Sequence, residues 1–286
     1  GVVMDAGNAN NRVISGGTNN NGTYTISDTA SALSDANFTK GNGSKAATTV
    51  TAVIANDNQD ITGVTFDSAV TNINLNDKTG VVMDAANANG IVISGGTNDQ
   101  GTYTITDTSS ALSDTNFTKG TNSKTAASVT VLVAADAENI AAIDLDSDVT
   151  AINLNDKTGV ILDMANIGTR AISTGTNSNG TYVVRDAATN LTTAGGGFNL
   201  TANGNPDAAS VTAVVAANSE DLSAVTLDSD VTNIDLNDKT GVVMDAGNAN
   251  NRVISGGTND QGTYTISDTA SALSDANFTK GNGSKA

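Results

Sequence analysis

Ile61-Thr-Gly-Val-Thr-Phe-Asp-Ser-Ala-Val70-Thr-Asn-Ile-Asn-Leu75 carries the pattern on which the fold turns. Ile61, Val64 and Phe66 return nine residues later as Val70, Ile73 and Leu75, with Asp67-Ser-Ala and Asn76-Asp-Lys filling the turns. A two-residue beat runs through Val64-Thr-Phe66, Ile73-Asn-Leu75, Ile91-Val-Ile93 and Tyr103-Thr-Ile105, which predicts half-buried strands. Strands of about five to seven residues joined by tight turns suit a parallel β-solenoid, whose rungs stack about 4.8 Å apart.

The same apolar positions recur further along the chain. Val50, Ile54, Ile61 and Val64 become Val129, Val133, Ile140 and Ile143, then Val211, Val215, Leu222 and Val225. The marker Gly1-Val-Val-Met-Asp5 returns at Gly80, Gly159 and Gly241, at spacings of 79, 79 and 82 residues. Residues 241–286 repeat residues 1–46 at 44 of 46 positions, so a 240-residue unit restarts. The blocks are 1–79, 80–158, 159–240 and a partial 241–286, and Asp77-Lys-Thr79 runs into Gly80-Val-Val without a linker. A repeating chain repeats its surface, whereas a catalytic domain places unique residues once. The rival reading is a string of immunoglobulin-like β-sandwiches, whose size is close to one block. The nine-residue beat and the scarcity of large hydrophobic residues favour the solenoid.

Composition narrows the chemistry. Aromatic residues make up 3% and Trp is absent, which suits a thin core of Val, Ile, Leu and Ala. Neither Cys nor His occurs, so disulfides, thiolate or imidazole zinc sites and His-activated nucleophiles are excluded. A net charge of −17 disfavours nucleic acid. No apolar run is long enough to insert in a membrane. A start inside a repeat reads as a window cut from a longer protein, with any targeting segment outside it.

Gly22-Thr-Tyr-Thr-Ile-Ser-Asp-Thr-Ala-Ser-Ala-Leu33 resembles a motif of very large repetitive bacterial surface and secreted proteins. It returns at Gly101–Leu112 and Gly262–Leu273, and in weakened form at Gly180–Leu191, where Arg185 and Ala187 depart from it. The resemblance implies an extracellular or cell-surface adhesin, surface-layer or fibre protein, and it brings no catalytic residues with it.

Several side chains are candidates for more than packing. Asp144, Asp146 and Asp148 alternate, and Asp228 and Asp230 repeat part of the pattern, so a strand face there could hold calcium through hard oxygen ligands. The alternative is a solvated acidic turn; the first block has only Asp67, with Ala69 at the third place. Asp77-Lys78, Asp156-Lys157 and Asp238-Lys239 predict a structural turn with a local or inter-rung ion pair. Asn72, Asn74, Asn76, Asn87 and Asn89 are expected in turns, where Asn tolerates left-handed backbone and can hydrogen-bond to Asn in the next rung, and Gly-Gly pairs at 16–17, 95–96 and 256–257 at tight corners. Asp107 is expected to cap a helical turn through Leu112, ahead of an outer loop from Phe117 to Lys124. Phe38, Phe117, Phe198 and Phe278 are expected to plug their own loops onto the core. Sequons at Asn21, Asn37, Asn42, Asn116, Asn179, Asn190, Asn199, Asn277 and Asn282 are too frequent in so Asn- and Thr-rich a chain to mark glycosylation. The Thr102/Thr104/Thr106 set occurs once per block, which argues against an ice-binding array.

The function expected is a structural segment of a long filament or surface layer, self-associating and without catalysis. The alternative is an adhesin stalk, stiffened by calcium at those aspartates, whose cell-surface or glycan contact lies outside this segment. An enzyme on a β-helix would need a unique polar cluster breaking the repeat, and the divergent stretch from Arg185 to Pro206 offers none.

Overall fold

The computed structural model describes all residues except 42–43, 169, 194–199, 201–204, 275, 282 and 286. The fold is a parallel β-solenoid, nearly all β. Its parallel ladders exclude the immunoglobulin-like alternative, whose sheets are antiparallel. Two compact units are present, Gly1–Leu132 with Leu145–Ala151, and Val133–Asp144 with Ile152–Ala286. Their boundaries cut across the sequence blocks.

The first unit carries β1 (Val2–Met4), β2 (Tyr24–Thr29), β3 (Thr49–Val53), β4 (Asn72–Asn74), β5 (Val81–Met83), β6 (Val92–Ser94), β7 (Tyr103–Asp107) and β8 (Ser128–Leu132). One sheet runs β1-β2-β3-β4-β6, while β5, β7 and β8 pair in another. Val2 lies opposite Tyr24, Thr25 opposite Thr49, Thr51 opposite Asn72 and Asn72 opposite Val92. Turns therefore take 22, 24, 21 and 20 residues, and four of them take 87, eight more than a 79-residue block. The repeat and the winding are out of phase. Accordingly β5, the second-block counterpart of β1, does not join the sheet of β1.

The second unit takes in all but the first residue of β9 (Ala151–Asn153), then β10 (Val160–Leu162), β11 (Ala171–Ser173), β12 (Tyr182–Ala187), β13 (Ser210–Val214), β14 (Asn233–Asp235), β15 (Val242–Met244), β16 (Val253–Ser255) and β17 (Tyr264–Ile266). The same switch occurs here: β10 opens the sheet β10-β12-β13-β14-β16, and its next counterpart β15 pairs with β17 instead.

The nine-residue beat has a different meaning from the one expected. Asp60 bridges Val82, twenty-two residues on, so residues 61–66 and 70–75 are successive sides of one turn and do not stack on each other. Val64-Thr-Phe66 is not a strand. The Val64 amide closes a turn on the Ile61 carbonyl at 2.9 Å, and Phe66 makes only an isolated antiparallel bridge to Ser34. Asp67 Oδ1 accepts the Ala69 amide at 2.8 Å, so turns bound the segment on both sides and leave no room for a ladder. Val64, Ile143 and Val225 are half-buried, whereas Ile61, Ile140 and Leu222 are core.

Four one-turn helices were not anticipated: α1 (Ala6–Ala9), α2 (Ala85–Ala88), α3 (Met164–Ile167) and α4 (Ala246–Ala249). Each follows the aspartate of the block marker. In α2 the Asp84 carboxylate accepts the Asn87 amide at 2.8 Å, an N-cap that satisfies an otherwise orphan donor. The helical turn expected after Asp107 is capped by Thr108, whose hydroxyl accepts the Ala111 amide at 3.3 Å while its carbonyl accepts the Leu112 amide at 3.1 Å. Asp107 divides its carboxylate, Oδ1 accepting the adjacent Thr108 amide at 2.7 Å and Oδ2 the Ala85 amide at the start of α2 at 3.0 Å. Of the asparagines expected in turns, Asn76 sits in one with left-handed φ of 52°, whereas Asn72 and Asn74 lie in β4, Asn87 in α2, and Asn89 ends α2 with φ −67°.

Ile26, Ile54, Ile73, Leu75, Tyr103 and Ile105 are fully enclosed, each such aliphatic side chain stabilising the fold by about 1.5–3 kcal/mol. Phe38 and Phe117 are buried as loop plugs, and Phe278 is half-buried. Phe198 lies outside the described residues. The Phe117–Lys124 loop is no free excursion, because Lys119 bridges Asn89 and the Lys124 amide donates to the Ile93 carbonyl at 2.7 Å.

Candidate functional site

The feature that recurs in most detail is the corner after β4 and its counterparts. Asn76 and Asp77 have φ of 52° and 59°, two successive left-handed residues that end the strand. The next turn brings Gly95-Gly96 against them. Gly96 has φ 107°, and a Cβ there would sit 2.2 Å from the Asp77 amide nitrogen, so only glycine fits. The Asp77 carboxylate then accepts the Asn98 amide at 3.1 Å, the Asn98 Nδ2 at 3.1 Å and the Gln100 amide at 3.0 Å.

Asp156 repeats this clamp on Asn177 and Asn179, at 3.0, 2.9 and 3.1 Å, and Asp238 repeats it on Asn259 and Gln261, at 3.1, 3.0 and 2.9 Å. In each copy the amides of the next turn hold the carboxyl below its usual range, the largest contribution coming from the Gln100, Asn179 and Gln261 amides. The structural turn is thus present, held mainly by amides of the next turn; in place of the expected local or inter-rung ion pair, the charges of Lys124, Lys157 and Lys285 add a smaller lowering at Asp77, Asp156 and Asp238. A second carboxylate makes a similar link: Asp57 accepts the Thr79 amide at 2.8 Å and Asp136 the Thr158 amide at 2.7 Å. Asn218 substitutes at 2.9 Å to Thr240.

The candidate calcium ligands are dispersed. Asp146 Oδ1 accepts the Asp148 amide at 2.8 Å, and Asp148 pairs with Lys119 at 3.0 Å. Asp228 Oδ1 accepts the Asp230 amide at 3.0 Å; Asp144 and Asp230 are exposed. Among the described residues no three acidic side chains converge as a metal site. The sequon amides of Asn37, Asn116 and Asn277 are engaged, donating to Ser31, Ser110 and Ser271 carbonyls at 2.8–3.0 Å. Asn42, Asn199 and Asn282 lie outside the described residues.

One pair went unnoticed in the sequence. Arg185 forms an ion pair with Asp235, whose side chain is buried. The available signal was a coupled departure: Arg185 replaces Ser27 and Thr106, while Asp235 replaces Asn74 and Asn153, both in the third block. Tyr103 and Tyr182 are also deeply placed, donating to the Lys124 and Pro206 carbonyls at 2.5 and 2.8 Å, and burial pushes both hydroxyls up to about 12.

No family model, curated protein or solved structure matches the chain.

Proposed function

We propose that this chain is a structural segment of an extracellular filament or surface layer, performing no catalysis and associating with copies of itself. The observation that supports it is the repeated corner, in which Asp77, Asp156 and Asp238 bind the following turn through the same set of bonds. Those carboxylates are consumed in joining turn to turn, and a scaffold needs them there. The absence of His and Cys from the sequence and the net charge of −17 agree with a role that involves neither nucleophilic chemistry nor nucleic acid.

Electron microscopy of native material tests this reading. Filaments or sheets with an axial repeat of roughly 45–60 Å, the rise of a 240-residue unit at about 4.8 Å per turn, are expected. Compact, monodisperse particles under every ionic condition would discard it. The stalk version adds calcium at Asp144, Asp146, Asp148, Asp228 and Asp230, where Asp144 and Asp230 stand open to solvent. Calorimetric titration with Ca²⁺ that yields no heat, with melting unchanged by chelator, removes that addition.

A further inference from the structure

Arg252 sits in a cradle made of carbonyl oxygens. Its side chain is buried, with Nε donating to Val231 O at 2.9 Å and Nη1 to Gly247 O and Asn248 O at 2.8 and 3.0 Å. Nη2 donates to Asp228 O at 2.9 Å and Leu227 O at 3.4 Å. Five N–H donors of a planar guanidinium thus meet five acceptors. Three come from the turn at 227–231 and two from α4, whose terminal carbonyls favour a cation.

Every part of that cradle has a counterpart 161 residues earlier: Phe66, Asp67, Val70, Ala86 and Asn87. All five line one cavity of about 530 Å³, which opens between the turn at 66–70 and α2. At the arginine's own position stands Ile91, which also lines the cavity and has no side-chain donor. The other blocks keep the arginine. Arg12 Nη1 donates to Gly7 O and Asn8 O at 3.2 and 2.9 Å, and Arg170 Nη1 to Ala165 O and Asn166 O at 2.6 and 3.4 Å. The second block alone has exchanged the cation for an aliphatic side chain, while the counterparts of the receiving positions still line the cavity, Phe66, Asp67 and Val70 from the end of the first block and Ala86 and Asn87 from α2.

We propose that the cavity lined by Phe66, Asp67, Val70, Ala86 and Asn87 is a binding site for a guanidinium group from outside the block. The chemistry selects that group over other cations. In the filled cradle the acceptors lie 2.8–3.4 Å from three different nitrogens, too dispersed to converge on one metal ion at 2.3–2.6 Å. An ammonium brings three donors from a single point and leaves acceptors unmet. Asp84 and Asp67 belong to the cavity wall and add negative potential. The guanidinium can come from a free small molecule or from an arginine side chain on a partner protein.

The test uses the whole chain, titrated with low-millimolar guanidinium chloride against matched sodium and ammonium chloride, and separately with the tripeptide Gly-Arg-Gly. Saturable guanidinium binding at about one per chain is expected, raising Tm by a few degrees where the other two salts do not. Ile91→Arg places the group in covalently, so it should raise Tm and abolish the binding. Arg252→Ala should open the equivalent cradle and bring the stoichiometry to about two. Tripeptide binding at least as tight as free guanidinium assigns the site to a partner's arginine; binding of free guanidinium alone assigns it to a small ligand. No saturable guanidinium binding by the unaltered chain, or binding that survives in Ile91→Arg, overturns the proposal. Should Ile91→Arg fail to fold, a folded Arg252→Ala with no added site overturns it equally.

Discussion

Asp77 and Asp84 stand seven residues apart and both accept backbone amides, yet their surroundings push them in opposite directions. At the corner, amide donors from Gln100 and Asn98 hold the Asp77 carboxyl below its usual range. At the cap of α2, burial raises Asp84, with the Asn87 amide opposing it and the nearby Asp107 charge adding to it. What separates them is the balance of donors against desolvation: at Asp77 the donors of Gln100 and Asn98 outweigh the burial cost, and at Asp84 burial outweighs the Asn87 amide.

The largest effect should come from making the corner impossible. Gly96→Ala places a Cβ 2.2 Å from the Asp77 amide nitrogen at φ 107°, and should cost about 3 kcal/mol or more in denaturant unfolding. Gly90→Ala, just past α2, is the contrasting variant. Gly90 has φ 68° but nothing within 4 Å of the added methyl, so about 1–2 kcal/mol of left-handed strain is expected. Equal losses would mean that backbone strain, and not the close approach of turns, decides the corner.

Next in size is the loss of the carboxylates themselves. Asp84→Ala removes an N-cap and should cost about 1 kcal/mol, while Asp84→Asn keeps an acceptor and relieves the buried charge, leaving Tm unchanged or slightly higher. At the corner the order reverses in kind: Asp77→Asn loses the charged acceptor of several amides, and its Tm should fall. Paired melting curves of the two Asn variants decide the matter, and a matching response at both positions would remove the distinction.

The smallest effect is in the pH dependence. Asp77, Asp156 and Asp238 have lowered folded-state values, so their contribution is present above the unfolded pKa of about 3.9 and is lost as pH falls through the folded value. Asp84 and Asp163 are raised, so their charge opposes folding above the folded value and that opposition is relieved as pH drops through it towards the unfolded one. In mild acid, Asp84→Asn should therefore lack a small rise in Tm that the parent chain shows. At lower pH, Asp77→Asn should have a shallower loss than the parent. Tm recorded from about pH 7 to pH 3 reads both limbs.

Much of this architecture was legible in the residues. Alternation at Ile73-Asn-Leu75 and Tyr103-Thr-Ile105 marked true strands, and the Gly95-Gly96 corner was marked by its own composition. Val64-Thr-Phe66 misled because its alternation is identical, and only the turns flanking it decide that no neighbour comes alongside. The helices escaped because Asp84-Ala-Ala-Asn is too short for a helical period; the cap itself was the signal. The corner clamp was half-read: Asp77 and Lys78 were correctly placed in a turn, but the carboxylate's partners lie 21 and 23 residues away, beyond what local pattern reveals. Likewise the emptied arginine position is visible only after the blocks are aligned, as Ile91 against Arg12, Arg170 and Arg252.

The mismatch of eight residues between four turns and one block has a consequence for how such a gene can change. Unequal crossing-over between the similar blocks would insert or delete whole blocks. Because a block is not a whole number of turns, the counterpart of β1 in the next block falls on a different sheet. Gaining or losing one block therefore changes which sheet carries each copied surface as well as the length, so a partner that recognises one sheet limits the copy-number variants that lineage can keep.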